Sequence, residues 1–341
     1  MDAQHVNNRL SPADIYPIDL DQRPAGYDKL ASEPVFDPDK HLALEKPAET
    51  YSLTDFGYPE EVVQASPVDF AASSTFRVLS EEGVAALYDV MKQVEGFSRS
   101  NPRIERCVRG AVYRSKFLRD LCLSPAVTEF MSEIAGLPLM PHTIPHQLGH
   151  INYNPTEIGA NVDKWHVDTL RFDYVMFVTD PKKNQGGAFQ YFKGTKDEMA
   201  ALKAAGADVP AAKVIQPDIP AAGYAVLQQG NLVVHQAKGL TVPGERITMV
   251  NGYMPLDPHA EDYLRYDQLL FADPAEIVTA EYAQHVGHQV RRKLEEGLSK
   301  TEFKADREAY ASWLSQLSSQ LAEAADEIRA ADSAKMEHFG D

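Results

Sequence analysis

The sequence predicts a mainly β core, a double-sheet jelly roll, decorated by N- and C-terminal α-helices. Three observations lead there. Between about residues 146 and 256, the segments HQLGHINYN, HVDTLRFDYVMFVTD, GGAFQYFKG, GYAVLQQG, NLVVHQAK and RITMVNGYM are rich in β-branched and aromatic residues and are separated by Gly, Pro and Asn. Helical periodicity falls on either side of them without βαβ alternation, which disfavours a doubly wound parallel sheet. A chain of 341 residues that is 44% hydrophobic and 24% charged is also an ordinary globular one, able to bury a full core.

Residues 1–75 are expected to form an extended, proline-rich acidic arm lying over the body. Their first 70 residues hold fourteen Asp or Glu against five Lys or Arg, and eight of the 22 prolines. A helical support region follows over 76–145. Ser80 can cap a helix whose Val84, Leu87, Tyr88 and Met91 share one face, and Ser124-Pro125 opens another with Val127, Phe130, Met131 and Ile134 before Gly136 ends it. The β core spans 146–258, interrupted by an Ala-rich insertion at 195–220 in which KDEMAALKAAG reads as one short helix, the size of a lid or decoration. C-terminal helices fill 259–341. Asp273-Pro274 opens one, and residues 306–332 form another with Tyr310, Trp313, Leu314, Leu317, Leu321 and Ile328 on one face, a stripe that suits packing on the outer sheet or a homodimer seam.

Charge narrows the partners. With 33 basic against 50 acidic residues the net charge is −17, which repels a phosphate backbone and argues against a nucleic-acid partner. No apolar run reaches the ~18 residues of a membrane span, so no membrane partner is expected. The first twenty residues carry no basic stretch followed by an apolar one, and Cys107 and Cys122 cannot make a disulfide framework, so a reducing, cytoplasmic setting is expected. Arg99, Arg103, Arg106, Arg109, Arg114, Lys116 and Arg119 form a basic run suited to pairing with the acidic arm, or else to meeting an anionic substrate.

The residues that carry chemistry are few. In Trp165-His166-Val167-Asp168 the imidazole and the carboxylate stand at i and i+2, on one side of an extended segment, where two such groups can share a metal. His235 sits in a run that otherwise reads as a buried strand. Arg246 follows after KGLTVPGE, and folding 231–238 against 245–254 as a hairpin centred near 240–241 makes His235 and Arg246 direct cross-strand neighbours. A buried arginine needs an anion, and Thr248, two residues on, offers a hydroxyl to the same anion.

These residues resemble the Fe(II)- and 2-oxoglutarate-dependent oxygenases, whose double-stranded β-helix carries His-x-Asp, a distal His, and Arg-x-Ser or Arg-x-Thr about ten residues further on. Here they are His166-Val167-Asp168, His235 and Arg246-Ile247-Thr248. HINYNP at 150–155 is similar to the family's Asn-Tyr-x-Pro stretch, and Trp165-His166 to the Trp-His-x-Asp of its phytanoyl-hydroxylase-like branch. The resemblance covers about residues 146–256. It implies that His166, Asp168 and His235 bind Fe(II), leaving positions for 2-oxoglutarate and O₂, and that Arg246 and Thr248 take the distal carboxylate of 2-oxoglutarate. Asn152 is the best additional cosubstrate contact. Asn154 shares its face and Tyr153 takes the other, a departure from members whose tyrosine is the third residue of the stretch.

His146 and His150 suit a substrate-pocket or structural role, and Arg171 and the insertion are further candidates for substrate contact. The implied reaction is oxidation of a C–H bond of a small molecule, such as an amino acid or another small carboxylate, with release of succinate and CO₂. Two alternatives stay open: a Zn- or Mn-dependent hydrolase or lyase on a cupin-like core, and a non-catalytic jelly-roll binding protein. Arg246 and Thr248 weigh against the first, because a metal-activated water needs no distant arginine.

Overall fold

The computed structural model describes residues 16–302, 305–330 and 339. Residues 1–15 of the expected arm, and 331–332 of the expected last helix, lie outside the described residues. The strands are β1 (Leu42–Glu45), β2 (Thr50–Ser52), β3 (Phe70–Ser73), β4 (Phe76–Leu79), β5 (Cys107–Val108), β6 (Leu139–Pro141), β7 (His150–Tyr153), β8 (Asp163–His166), β9 (Phe172–Phe177), β10 (Phe189–Phe192), β11 (Val214–Ile215), β12 (Tyr224–Gln228), β13 (His235–Ala237) and β14 (Ile247–Pro255). The helices are α1 (Pro38–His41), α2 (Glu60–Ala65), α3 (Glu81–Val94), α4 (Lys116–Cys122), α5 (Pro125–Ala135), α6 (Lys196–Ala204), α7 (Tyr266–Ala272), α8 (Ala275–Ser299) and α9 (Arg307–Ala330).

Two antiparallel sheets make the core. The larger runs β1-β4-β12-β9-β14-β7-β5, with β3 also on β12, β2 on β3 and β6 on β14; the smaller runs β11-β10-β13-β8. Period-two alternation decides what each face meets. On the larger sheet Tyr174, Met176, Leu227, Ile247 and Met249 point to the side covered by α3, α4 and α5. Val175, Phe177 and Val226 point to the other side, where Phe189, Tyr191 and Val233 of the smaller sheet's segments meet them. Burying each such side chain contributes about 1.5–3 kcal/mol, which locks the register of both sheets.

Local signals place the supporting helices. Ser80 accepts the Gly83 N–H and caps α3. Pro125 opens α5, and Gly136, with φ +70°, ends it in the left-handed region that favours glycine. Part of the arm is sheet rather than cover, since β1 pairs with β4, and β2 with β3. The strand expected from HQLGHINYN begins late, because Pro145–Gln147 forms a 3₁₀ turn before β7. The insertion supplies α6, capped by Thr195, and then β11 on the edge of the smaller sheet beside β10.

At the C-terminus α9 packs on α8 rather than on the outer sheet. Leu317 is buried there, Trp313 and Ile328 are half-buried, and Leu314 and Leu321 stay exposed. Among the described residues no helix is long and apolar enough to cross a membrane. Cys107 and Cys122 are buried and unbonded to each other.

Candidate active site

The cavity lies between the two sheets. On β8 and just past it, Trp165 and Val167 turn into a cluster with Phe192, Met199 and Val234, and the same alternation turns His166 and Asp168 into the cavity. β13 pairs with β8 so that His235 stands opposite His166, and their rings lie 4.2 Å apart. Ligand atoms of His166, Asp168 and His235 all lie within 4.8 Å of one another. His166 Nε2 is 3.5 Å from Asp168 Oδ1, and His235 Nε2 is 3.2 Å from Asp168 Oδ2.

Backbone carbonyls set the orientation of both rings. His166 Nδ1–H donates to Lys164 O at 2.6 Å and His235 Nδ1–H to Val233 O at 2.9 Å, so each Nε2 is turned toward Asp168. Fixing one ring nitrogen in this way is what orients a metal-binding imidazole, and a divalent ion fits this donor set. Burial, joined by the charge of Arg103, pushes the His166 pKa down and keeps the ring neutral. Burial opposes ionisation of Asp168, but His235, His166 and Arg103 outweigh it and hold the carboxyl well below its ordinary range. Burial also disfavours protonated His235, yet the Asp168 carboxylate, through its charge and its hydrogen bond, raises the pKa. Behind the triad, Asp173 is pushed well above the carboxylate range by burial and the neighbouring Asp168 charge. It is therefore an uncharged acid, accepting one bond from Gln228 Nε2 at 3.0 Å.

The larger sheet supplies the other half of the cavity. Arg246, just before β14, and Thr248 and Val250 on it line the cavity from one face, and Asn152, paired with Thr248 in register, lines it from β7. The Arg246 guanidinium is buried, donating from Nε to Gly187 O at 2.9 Å and from Nη1 to Thr248 Oγ1 at 3.3 Å. Its Nη2, and Asn152 Oδ1, are buried without a hydrogen-bond partner. The orphaned Nη2 donor is what a small carboxylate ligand, which only accepts, would satisfy. Tyr153 points to the opposite face and donates to Met91 O at 2.7 Å, while Asn154 accepts the Arg246 N–H at 3.3 Å instead of lining the cavity.

The expected hairpin does not form. β13 pairs with β8 and β10, and β14 with β6, β7 and β9, so His235 and Arg246 belong to different sheets and face the cavity from opposite sides. The connecting segment continues beside residues 185–188, with Lys238 N–H on Ala188 O and Thr241 N–H on Gln185 O, before Pro243-Gly244 turns it over to the larger sheet. Strand pairing held past Ala237 thus carries the turn across the core instead of back along β13.

Several cavity residues had no motif to announce them. Arg103 donates from Nε to Asp163 Oδ2 at 2.6 Å and from Nη2 to Asp168 Oδ1 at 3.2 Å. Arg109 donates to Asp273 Oδ2 at 2.6 Å and lies 3.2 Å from His150 Nδ1. Burial and those arginine charges keep His150 neutral, and its Nε2 is buried without a partner. The signal was the basic run, whose members divide: Arg119 reaches Asp21 of the arm, while Arg103 and Arg109 turn inward. His146 is structural, bonded to Glu281 and to Tyr27. Neither Arg171 nor the insertion lines the cavity.

A second cluster, His142, Asp262 and His285, also has ligand atoms within 4.8 Å of one another. There His142 Nδ1 accepts the Ile144 N–H at 3.1 Å, and Asp262 already holds His285 Nε2 at 2.5 Å. The neutral His142 ring therefore keeps its proton on Nε2 and presents no free lone pair to a metal.

No family model matches this chain, and no curated protein matches it. Among solved structures it is similar to the non-heme alpha ketoglutarate dependent carbocyclase SnoK from nogalamycin biosynthesis, at 20% identity and a TM-score of 0.43 over 62% of this chain and 88% of that one. It is similar to AviO1 from Streptomyces viridochromogenes Tue57 at 16% identity and a TM-score of 0.43, over 63% and 98% of the two chains. A third is HygX from Streptomyces hygroscopicus with nickel and 2-oxoglutarate bound, at 13% identity and a TM-score of 0.39 over 58% and 86%.

Proposed function

We propose that the protein is a non-haem Fe(II)- and 2-oxoglutarate-dependent oxygenase that oxidises a C–H bond of a small molecule. One observation carries this reading: a His166, Asp168 and His235 donor set shares a cavity with a buried arginine whose Nη2 is orphaned. A metal triad alone suits many reactions, but the arginine across the cavity asks for a cosubstrate with its own carboxylate. On this reading His166, Asp168 and His235 hold Fe(II), and Arg246, Thr248 and Asn152 hold 2-oxoglutarate. The two facing antiparallel sheets support treating the core as a double-stranded β-helix.

When bound, iron and 2-oxoglutarate supply the oxidising chemistry: substrate C–H, 2-oxoglutarate and O₂ become C–OH, succinate and CO₂, with one oxygen atom in the alcohol and one in succinate. Desaturation or ring closure at the same centre places that first oxygen in water instead. The chain's part is to bind and orient. Arg246 supplies a fixed positive charge, the Lys164 and Val233 carbonyls hold the two imidazoles in one tautomer, and Leu170, Val175, Phe189 and Val250 give the cavity an apolar wall. Uncharged Asp173 adds no second anion behind the triad. Gln147, His150 and Gln268 line the same cavity and suit a small polar substrate such as an amino acid or another small carboxylate. The two unbonded thiols suit a reducing, cytoplasmic setting.

Anaerobic titration with Fe(II) and then 2-oxoglutarate, followed by O₂ and a panel of amino acids and small carboxylates, tests the reading. Succinate should form in an O₂-dependent manner. His166→Ala, Asp168→Ala and His235→Ala should each lose Fe(II) binding and turnover with unchanged circular dichroism. A folded wild type that binds no Fe(II), or binds it without 2-oxoglutarate, refutes the assignment.

A further inference from the structure

Arg103 arrives from a loop far from every motif and yet touches two of the three triad residues. Its Nη2 lies 2.9 Å from His166 Nε2 and 3.2 Å from Asp168 Oδ1, while its Nε donates to Asp163 Oδ2 at 2.6 Å. Asn101 fixes the loop by accepting the Arg103 and Ile104 N–H groups at 2.9 and 2.7 Å. We propose that Arg103 is a positioning residue of the metal centre, whose guanidinium and the divalent ion contend for His166 Nε2 and Asp168 Oδ1. The inference rests on the metal-centre reading above and adds what sets the affinity of that centre.

The argument is one of lone pairs and charge. His166 Nδ1 carries its proton to Lys164 O, so Nε2 has a single lone pair, which serves an N–H donor or a metal but not both. Asp168 and Asp163 are two carboxylates on either side of His166, and Asp163 Oδ2 itself lies 3.4 Å from His166 Nε2. A pair of carboxylates this close and this buried needs a cation, which Arg103 supplies through both of its bonds. A divalent ion at the triad brings a larger charge to the same atoms and repels the guanidinium. The planar guanidinium turns as one unit, and Asp163, which does not belong to the triad, remains a carboxylate for it to pair with. The arginine thus holds the Asp168 carboxylate in place beside both imidazoles, and it weakens the grip on the ion by the free energy of its own displaced bonds.

The test uses the full-length protein and Co(II) alone, without cosubstrate, so it does not depend on turnover. Arg103→Gln removes the charge and should bind Co(II) about tenfold or more tightly than wild type, whereas Arg103→Lys should stay near wild type. The metal-free Arg103→Gln protein should melt lower than wild type and recover more on Co(II) addition. If the Gln variant fails to fold, Zn(II) titration of arginine-labelled wild-type protein replaces it. The Arg103 guanidinium resonance, assigned by its loss in Arg103→Lys, should then shift at one equivalent. Equal or weaker Co(II) binding by folded Arg103→Gln, or an unmoved Arg103 resonance, overturns this role alone. A wild type that binds neither Co(II) nor Zn(II) overturns the metal centre and this inference together.

Discussion

At the scale of single residues, Arg246 is the most demanding placement in the molecule. It is 2% exposed, its guanidinium lies 5.2 Å from the centre of the Phe177 ring, and its hydrogen bonds go to a carbonyl and a hydroxyl rather than to a carboxylate. Burial lowers its pKa to about 10, which still leaves it charged at neutral pH. A lone cation in such a place is costly unless a ligand completes it. Arg246→Ala should therefore raise the KM for 2-oxoglutarate strongly, since truncating one half of a buried charge pair costs about 2–5 kcal/mol, or at least roughly 30-fold. Co(II) affinity in the absence of 2-oxoglutarate should not change, because Arg246 approaches the triad from the other sheet. Arg246→Lys should fall between, keeping the charge without the fork. An Arg246→Ala enzyme with wild-type KM would separate this arginine from the cosubstrate.

At the scale of elements, the crossing from β13 to β14 decides whether Arg246 reaches the cavity at all. Residues 186–187 are its guide rail. Gly187 N–H donates to Gly239 O at 2.9 Å, and Gly187 O receives Arg246 Nε at 2.9 Å. Gly187 has φ +72°, and a Cβ there would lie 2.9 Å from Leu240 Cδ2 and 3.1 Å from Arg246 Cδ. Gly187→Ala should cost about 1–3 kcal/mol in urea unfolding and raise the KM for 2-oxoglutarate, leaving Co(II) affinity intact. Unchanged stability and KM together would show that the rail is dispensable. This crossing also marks where the sequence stopped being informative. His166 and Asp168 were legible because one strand's alternation carries both. Arg246 and Thr248 were legible as a pair because residues two apart on an extended segment face the same way. The eleven-residue separation of His235 and Arg246, however, fits a hairpin and a sheet-to-sheet crossing equally well. What chooses between them is pairing with residues 185–188, which no local pattern encodes. Arg103 and Asp163 were illegible for a related reason: an arginine inside a basic run carries no mark of the carboxylate it will meet sixty residues on.

At the scale of the whole molecule, α7 lines the cavity while α8 braces the segment that leads into β7, and α8 does so through buried histidines. From α8, Glu281 bonds His146 Nδ1 at 2.7 Å and the Tyr113 hydroxyl at 2.8 Å, while one turn later His285 bonds Thr143 Oγ1 at 2.6 Å and Asp262 at 2.5 Å. His142 stacks on His285 at 5.1 Å and accepts the Ile144 N–H. Burial, joined by the neighbouring His285 and opposed by Asp262, pushes the His142 pKa down to about 3. The unfolded chain, with an imidazole near 6.5, therefore binds more protons than the folded one between about pH 6.5 and pH 3. Stability contributed by neutral His142 is complete above that window and is lost as pH falls through it. Depressed His150 and His166 act with the same sign, and Asp262 adds a further loss only as pH falls through the carboxylate range. Raised His235 and raised Asp173 act oppositely, losing stability as pH rises, so three depressed histidines outweigh two opposing groups. Metal-free protein should accordingly become easier to unfold in urea from pH 6.5 to pH 4.5. One such histidine contributes a slope of at most about 1.4 kcal/mol per pH unit. His142→Asn, whose amide oxygen can still accept the Ile144 N–H, should be less stable than wild type at pH 7.5, with a slope shallower by up to that amount, so the two curves converge toward acid. Parallel curves over the whole range would mean that the helix clamp, and not the buried His142, sets the acid limit of the fold.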